Sequence, residues 1–297
     1  MEKIVNLFKR KKSSPPYDVK TAPLTDEQLR TVSSGIGQSL SPQLLVGVSQ
    51  SVGLQRDHNE DTVFTFASNL SSDTKNLIFG LFIIADGMGG YQHGEMASSV
   101  AANAMANYLL KKIFVPMMNI KTETPSEPLQ ELMQNAVSEA QQVVVKNAPG
   151  GGTTLTSVLI IGDQVTLAHV GDSRAYFIYS DGRVQPLTRD HSLVRRLQEL
   201  GQINEKEAAE HPQRNVLYRA LGQSEPFEPD ISTYPFPNAG YLMLCSDGLW
   251  GLVPENEIFP IIRSAPTLSA ASQKLVDAAN AAGGPDNISV ILVQYPM

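Results

Sequence analysis

Apolar residues recur along this chain in two rhythms. Unbroken runs rich in β-branched and aromatic residues occupy positions 44–49, 62–67, 77–85, 154–161, 165–170, 175–179, 241–245 and 288–293, and runs of this length and composition predict strands. One-sided stripes at i, i+3, i+4 spacing occur at Ala97, Val100, Ala101, Ala104 and Tyr108, at Leu129, Met133, Ala136, Ala140 and Val143, and at Leu268, Ala271, Leu275, Ala278 and Ala282. Each predicts a helix with one buried face. The dipeptides Gly162-Asp163 and Asp181-Gly182 join neighbouring strands, and such tight turns favour hairpins and hence antiparallel pairing. The helices arrive in blocks after groups of strands, not one per strand. That order argues for an α+β fold of antiparallel sheets flanked by helices and against a doubly wound βαβ sheet.

The dense patterning begins near Leu44 and runs to Met297 with no second polar gap and no repeat, so one domain over 43–297 is expected. Residues 1–42 differ: a basic cluster, then Ser13-Ser14-Pro15-Pro16, then segments rich in Ser, Thr, Gln and Gly. They read as a flexible tail and linker. Ile4, Val5, Leu7 and Phe8 beside Lys9, Arg10, Lys11 and Lys12 sketch a short amphipathic segment for a membrane surface or a partner, with a solvated tail as the plainer reading.

Charge narrows the classes further. The net charge is −7, and six Lys or Arg against two Asp or Glu in the first 20 residues contribute +4, leaving −11 for the remainder. A body that acidic is unsuited to tracking a nucleic-acid backbone, whereas it suits the holding of cations. No stretch reaches the ~20 apolar residues of a membrane span, and the short apolar stretch at 4–8 precedes its basic cluster instead of following it, the reverse of a secretory signal. A cytoplasmic monomer is expected. Cys245, the single cysteine, lies inside an apolar run. It can form no internal disulfide and reads as a core residue, not a nucleophile.

The candidate chemistry is carried by a recurrence. Three apolar runs end in an aspartate beside a small residue: Ile84-Ala85-Asp86-Gly87, Val170-Gly171-Asp172-Ser173 and Cys245-Ser246-Asp247-Gly248. A fourth aspartate, Asp286, precedes a run in Gly284-Pro285-Asp286-Asn287-Ile288. One such motif is an ordinary turn. Four, if their ends meet, crowd carboxylates that only cations can neutralise, and an oxygen-only set selects Mg²⁺ or Mn²⁺ over zinc. A second cluster, Arg56-Asp57-His58-Asn59-Glu60-Asp61, offers a planar guanidinium fork for phosphate oxygens and two further carboxylates, Glu60 and Asp61. His169 reads as a packed core residue, His58 and His211 as surface residues, and Trp250 as packing behind the Asp247 turn.

The ordered set Arg56-x-x-Asn59-Glu60-Asp61, Asp86-Gly87-Met88-Gly89-Gly90, Gly152-Thr153-Thr154, Val170-Gly171-Asp172-Ser173-Arg174, Ser246-Asp247-Gly248-Leu249 and Gly284-Pro285-Asp286-Asn287 resembles the metal-dependent protein phosphatase family, the type 2C serine/threonine phosphatases, in its bacterial branch. The resemblance covers about 45–293. It implies a four-layer α-β-β-α sandwich of two antiparallel sheets flanked by paired helices. It further implies that Asp86 bridges two Mn²⁺ or Mg²⁺ ions, that Asp247 and Asp286 complete the first, and that the Gly87 carbonyl binds the second with Glu60 and Asp61 in support. Asp172 with Asp247 would match a third, weaker site, Arg56 would bind the substrate phosphate, and 190–221 would be a flap beside the cleft.

By that resemblance the activity is hydrolysis of phosphoserine and phosphothreonine in proteins by water attacking phosphorus in line, opposing a Ser/Thr kinase pathway. One departure concerns the proton for the leaving oxygen. Relatives carry a histidine either after the Asp-Gly pair or after the Gly-Gly pair, where this chain has Met88 and Tyr91. His93 is therefore the candidate acid, set against a solvent water. Two rivals stand beside the phosphatase reading: a silent adaptor, disfavoured because the aspartates are all present, and an unrelated phosphohydrolase of small esters. An Asp-x-Asp aspartyl-phosphate enzyme is disfavoured because Met88 stands where its second aspartate belongs.

Overall fold

Lys75–Met88 forms a 14-residue strand, β3, whose residues dictate the layering. Phe79, Leu81, Ile83 and Ala85 lie on one face and Ile78, Phe82 and Ile84 on the other, and all are buried. A strand covered on both faces reads as a continuous apolar run without polar alternation. The computed structural model describes residues 43–72, 75–89, 92–118, 127–223, 228–237 and 239–295. The tail 1–42 and Tyr91 lie outside the described residues.

One sheet has the order β1 (Leu45–Ser51), β11 (Ile288–Gln294), β10 (Tyr241–Cys245), β7 (Arg174–Ile178) and β8 (Val184–Pro186). The other runs β2 (Asp61–Ser72), β3, β5 (Leu155–Ile161), β6 (Gln164–Val170) and β9 (Asp230–Pro235), with the two-residue β4 (Gly152–Thr153) on the end of β3. All pairings are antiparallel. Both turn dipeptides close hairpins, with Ile161 opposite Gln164 and Ile178 opposite Val184.

Helices α1 (Gln92–Leu109) and α2 (Leu129–Asn147) cover the β3 sheet, and a π-helical turn at Leu110–Phe114 prolongs α1. Ala97, Ala101, Met133, Ala136 and Ala140 of their predicted stripes, joined by Met105, pack in one core with Phe79, Leu81 and Ile83. Phe82, Ile84, Val158 and Ile160 meet Leu242, Leu244, Ile291 and Val293 between the sheets. Leu275, Val276 and Ala279 of α7 (Leu268–Ala281), with Ile258 and Ile262 of α6 (Glu255–Arg263), cover Met243, Val290 and Leu292. Three apolar layers between four structural ones give the expected α+β, four-layer sandwich of two antiparallel sheets flanked by paired helices.

Three short helices were not apparent from the pattern: α3 (Leu193–Glu199), α4 (Glu205–Ala209) and α5 (Asp247–Trp250). The first two are defined by caps, not apolar stripes. The Ser192 hydroxyl accepts from the Arg195 N–H, and Asn204 with Glu207 forms a reciprocal capping box. They lie in the segment after β8 that also contributes to the cleft described next.

Candidate metal centre

The carboxylates gather because strand ends and loops of the two sheets open at the same end. Asp61 starts β2 and stands directly opposite Asp86 near the end of β3. Asp172 sits in the turn between β6 and β7, Asp247 is the first residue of α5 after β10, and Asp286 precedes β11. A cleft of about 330 Å³ is lined by Arg56, His58, Glu60, Asp86, Gly87, Asp172, Asp247 and Asp286, with Asn215 and Leu217 from the segment between α4 and β9. Asp61 is buried just behind it. The structure therefore brings together every predicted site residue but one.

The exception is His93. It is exposed at the second position of α1, its carbonyl lies against Gly151, and it is not part of the cleft wall. The structure does not carry His93 to the carboxylates, and the candidate acid role finds no geometric support. His58, read from the sequence as a surface residue, does line the cleft, and its Nε2 lies 2.9 Å from Glu60 Oε1.

Backbone ties hold the cluster. The Asp86 N–H donates to Thr154 Oγ1, while Thr153 Oγ1 and the Thr154 N–H donate to the Asp86 carbonyl. The Asp61 N–H donates to Asn59 Oδ1, an Asx turn that sets the start of β2. Trp250 Nε1 donates to the Asp172 carbonyl, and the Arg174 guanidinium lies 3.6 Å above the Trp250 ring while gripping Asp190 through two hydrogen bonds. The packing role read for Trp250 is thus a specific one: it fixes the Asp172 turn. His169 is fully buried, bonded to Thr156 Oγ1 and to the Arg189 carbonyl, with its pKa pushed down to about 4 by burial.

Asn287 was quoted in a motif without a role, and the structure supplies one. Its Oδ1 accepts from the Glu60 N–H at 2.8 Å, and its Nδ2 donates to the Val52 and His58 carbonyls at 2.9 Å. Three hydrogen bonds from one buried side chain thus bind the loop carrying Arg56 and Glu60 to the loop carrying Asp286. Asn287→Ala leaves three backbone groups unpaired. The expected cost is about 2–4 kcal/mol, or a melting point lower by about 5–10 °C in chelator. A melt within 1–2 °C of the wild type would show that water replaces the side chain.

Electrostatics mark the cluster as uncompensated. Burial, then the neighbouring carboxylates, holds Asp86 and Asp247 well above the ordinary carboxylate range. Burial takes Asp61 to about 6, and burial with the Asp190 charge takes Asp172 to about 7. Asp61 Oδ2 accepts from Ser289 Oγ at 2.7 Å, while Asp61 Oδ1 is buried without a partner. No group of three or more His, Cys, Asp or Glu side chains among the described residues is set at coordinating geometry. The donor set, entirely oxygen, negative and partly unpartnered, fits hard divalent cations. Arg56 Nη2 donates to Asp286 Oδ2 at 2.7 Å from the cleft rim, half exposed.

Residues 46–288 match the family model described as protein phosphatase 2C. The chain is 37% identical over 248 residues to a serine/threonine phosphatase named stp from Listeria innocua, spanning 82% of this chain and 92% of that one. Among solved structures, the S. agalactiae serine/threonine phosphatase superposes with a TM-score of 0.72 at 30% identity, covering 85% of this chain and 99% of that one. The catalytic domain of the serine threonine protein phosphatase PstP, in complex with two manganese ions, gives 0.69 at 28% identity, covering 86% and 100%.

Proposed function

The chain belongs to the protein phosphatase 2C family, and from that premise we propose that its cleft hydrolyses phosphoserine and phosphothreonine in proteins, with Asp86, Asp247, Asp286 and Gly87 holding a pair of Mn²⁺ or Mg²⁺ ions. The observation that carries this reading is the convergence of Asp61, Asp86, Asp172, Asp247 and Asp286 from two sheets in and behind one cleft, where Arg56 is the only lining arginine among the described residues. When bound, the ions neutralise phosphoryl charge and lower the pKa of a water for in-line attack on phosphorus. Asp86, which lies opposite Asp61 and near Asp247, would be a ligand common to both ions. Glu60 and Asp61 support it from the β2 side, and Asp172 with Asp247 offers a third, weaker position.

The protein's own groups do the positioning. Arg56 is half exposed and tethered through a single guanidinium nitrogen, so its remaining N–H groups are available to a phosphate at the rim. Turning toward that phosphate would break its bond to Asp286 and free that carboxylate as a ligand. No covalent enzyme intermediate is needed. Cys245 is fully buried, with its thiol pushed up to about 12 by burial, which removes it as a nucleophile. With His93 outside the cleft, solvent in the open cleft supplies the proton to the departing serine or threonine oxygen.

No helix among the described residues is long and apolar enough to cross a membrane. The wider setting of the reading is a monomer in a bacterial cytoplasm, with 43–297 as the phosphatase domain, 1–42 as a basic tail, and a Ser/Thr kinase pathway that it opposes. The test is turnover of a phosphothreonine peptide with Mn²⁺, with Mg²⁺ and with chelator, beside Asp247→Ala. Metal-dependent turnover that falls by at least ~10³-fold in the variant is expected. Folded protein with Mn²⁺ that hydrolyses neither phosphopeptides nor an aryl phosphate would overturn the reading in favour of an adaptor.

A further inference from the structure

Seven carboxylates, Asp57, Glu60, Asp61, Asp86, Asp172, Asp247 and Asp286, stand with Arg56 in and behind the cleft. Two divalent ions offset four of those charges, so even the loaded cleft holds no surplus positive charge. The whole chain is acidic, at −7. A phosphoprotein segment is itself anionic, and it therefore needs attraction from somewhere beside the cleft.

The segment after β8 provides it. Arg189 donates to Glu199 Oε2, and Arg195 and Arg196 of α3 reach the same carboxylate at 3.6 and 3.7 Å. The three arginine side chains are 50%, 48% and 55% exposed, whereas Glu199 is 23% exposed. One largely covered carboxylate cannot use the donors of three half-exposed guanidiniums, each of which carries five N–H groups. Beside them, Arg219 and His191 hold Asp230, so this second carboxylate already has its own partners. Around Glu199, three arginines against one carboxylate leave a local surplus of two positive charges, Arg219 is balanced by Asp230, and the adjoining α4 carries Glu205 and Glu207 against Lys206.

The patch is rigidly tied to the cleft wall. Ser192, the N-cap of α3, pairs with Leu217, which lines the cleft, and the Leu193 N–H donates to the Val216 carbonyl at 2.8 Å. Bridged residues lie ~5 Å apart and a helix rises ~1.5 Å per residue, which sets Arg195 and Arg196 on the order of 10 Å from Leu217. An extended peptide covers that distance in about three to five residues.

We propose, resting on the phosphatase reading, that Arg189, Arg195 and Arg196 form a docking site for a second anionic group of the substrate, about three to five residues from the phosphoresidue in the cleft. The substrate class is then phosphopeptides that are multiply phosphorylated or acidic near the target. A carboxylate and a phosphate share the chemistry. A phosphate carries more charge and accepts from several guanidiniums at once.

The test compares phosphothreonine peptides carrying alanine, glutamate or phosphoserine three to five residues away, with wild type, Arg195→Ser/Arg196→Ser and Arg195→Lys/Arg196→Lys. The wild type is expected to favour glutamate by about fivefold and phosphoserine by about twentyfold in kcat/KM, expressed in KM and shrinking as salt rises. The serine pair should lose that preference, and the lysine pair should recover part of it. Equal kcat/KM for all three peptides, or a preference that survives in the serine pair, overturns the inference. An aryl phosphate, which cannot reach the patch, separates the two readings. Its metal-dependent hydrolysis beside a flat peptide series defeats the docking site alone, whereas its failure defeats the phosphatase reading and the docking site together.

Discussion

Asp86→Asn is expected to abolish metal-dependent turnover while making the metal-free protein more stable. Asp86 sits among Asp61, Asp172, Asp247 and Asp286, and both its burial and their charges disfavour its ionised form. Without cations the cluster is a standing electrostatic cost, because buried like charges have neither water nor a counter-charge. An amide of the same shape cannot ionise, so it removes one potential charge from the centre of the group. We expect a gain of about 1–3 kcal/mol in chelator, seen as a melting point higher by about 2–10 °C.

In excess Mn²⁺ the order reverses. An ion at a hundred times its dissociation constant stabilises the wild type by about 2.7 kcal/mol, and the variant, lacking a carboxylate proposed to hold the ions, is expected to gain little of this. Turnover falls by at least ~10³-fold. Four melts, wild type and variant with and without metal, decide the matter. A variant that melts lower than the wild type in chelator would show that the carboxylates are not strained against one another.

Gly87→Ala is the second large effect, and it acts through backbone. A Cβ at this position would lie 2.3 Å from the Gly94 carbonyl oxygen and 2.7 Å from that of Glu60. Both obstacles are main chain, one at the start of α1 and one on the segment leading into β2, so neither yields as a flexible side chain would. The end of β3 must separate from one of them, breaking the Gly87 N–H bond to the Glu60 carbonyl. We expect a loss of about 1–3 kcal/mol from overpacking. The activity loss is larger, ~10²-fold in kcat/KM, because a displacement of about 1 Å suffices to misplace a reacting group. Mn²⁺ titration checks the cause: weaker metal binding is expected, and unchanged binding in a less stable protein would confine Gly87 to packing.

The elements that were legible in the chain are those whose burial is simple. The α1, α2 and α7 stripes each face one sheet, and β3 reads as a run because it is covered on both sides. The edge strands β1 and β2 were legible too, whereas the edge strands β8 and β9 and the connections were not. β9, Asp-Ile-Ser-Thr-Tyr-Pro, is a half-exposed edge strand with a terminal proline, so nothing in its composition separates it from a loop. α6 carries Pro260 in its interior, which reads as a breaker, and β4 is two residues held by its partners Gly87 and Met88. α3 and α4 are too short to show a period.

The same division runs through the site. An aspartate at a strand end is a local event, repeated three times beside a small residue, so Asp86, Asp172 and Asp247 were identifiable from the chain alone, as was Asp286 before its strand. The sequence by itself determined the layered class of the fold, the all-oxygen character of the donors and the arginine at their rim. These depend on residue type and on periods of two and 3.6, which are properties of short stretches. Tertiary structure alone decided that His58 lines the cleft and His93 does not, that Asn287 ties two loops together, and that three arginines share Glu199 next to the cleft wall. Each of these is a meeting of side chains or loops in space, and only the packing of the two sheets and their flanking loops specifies where such groups arrive.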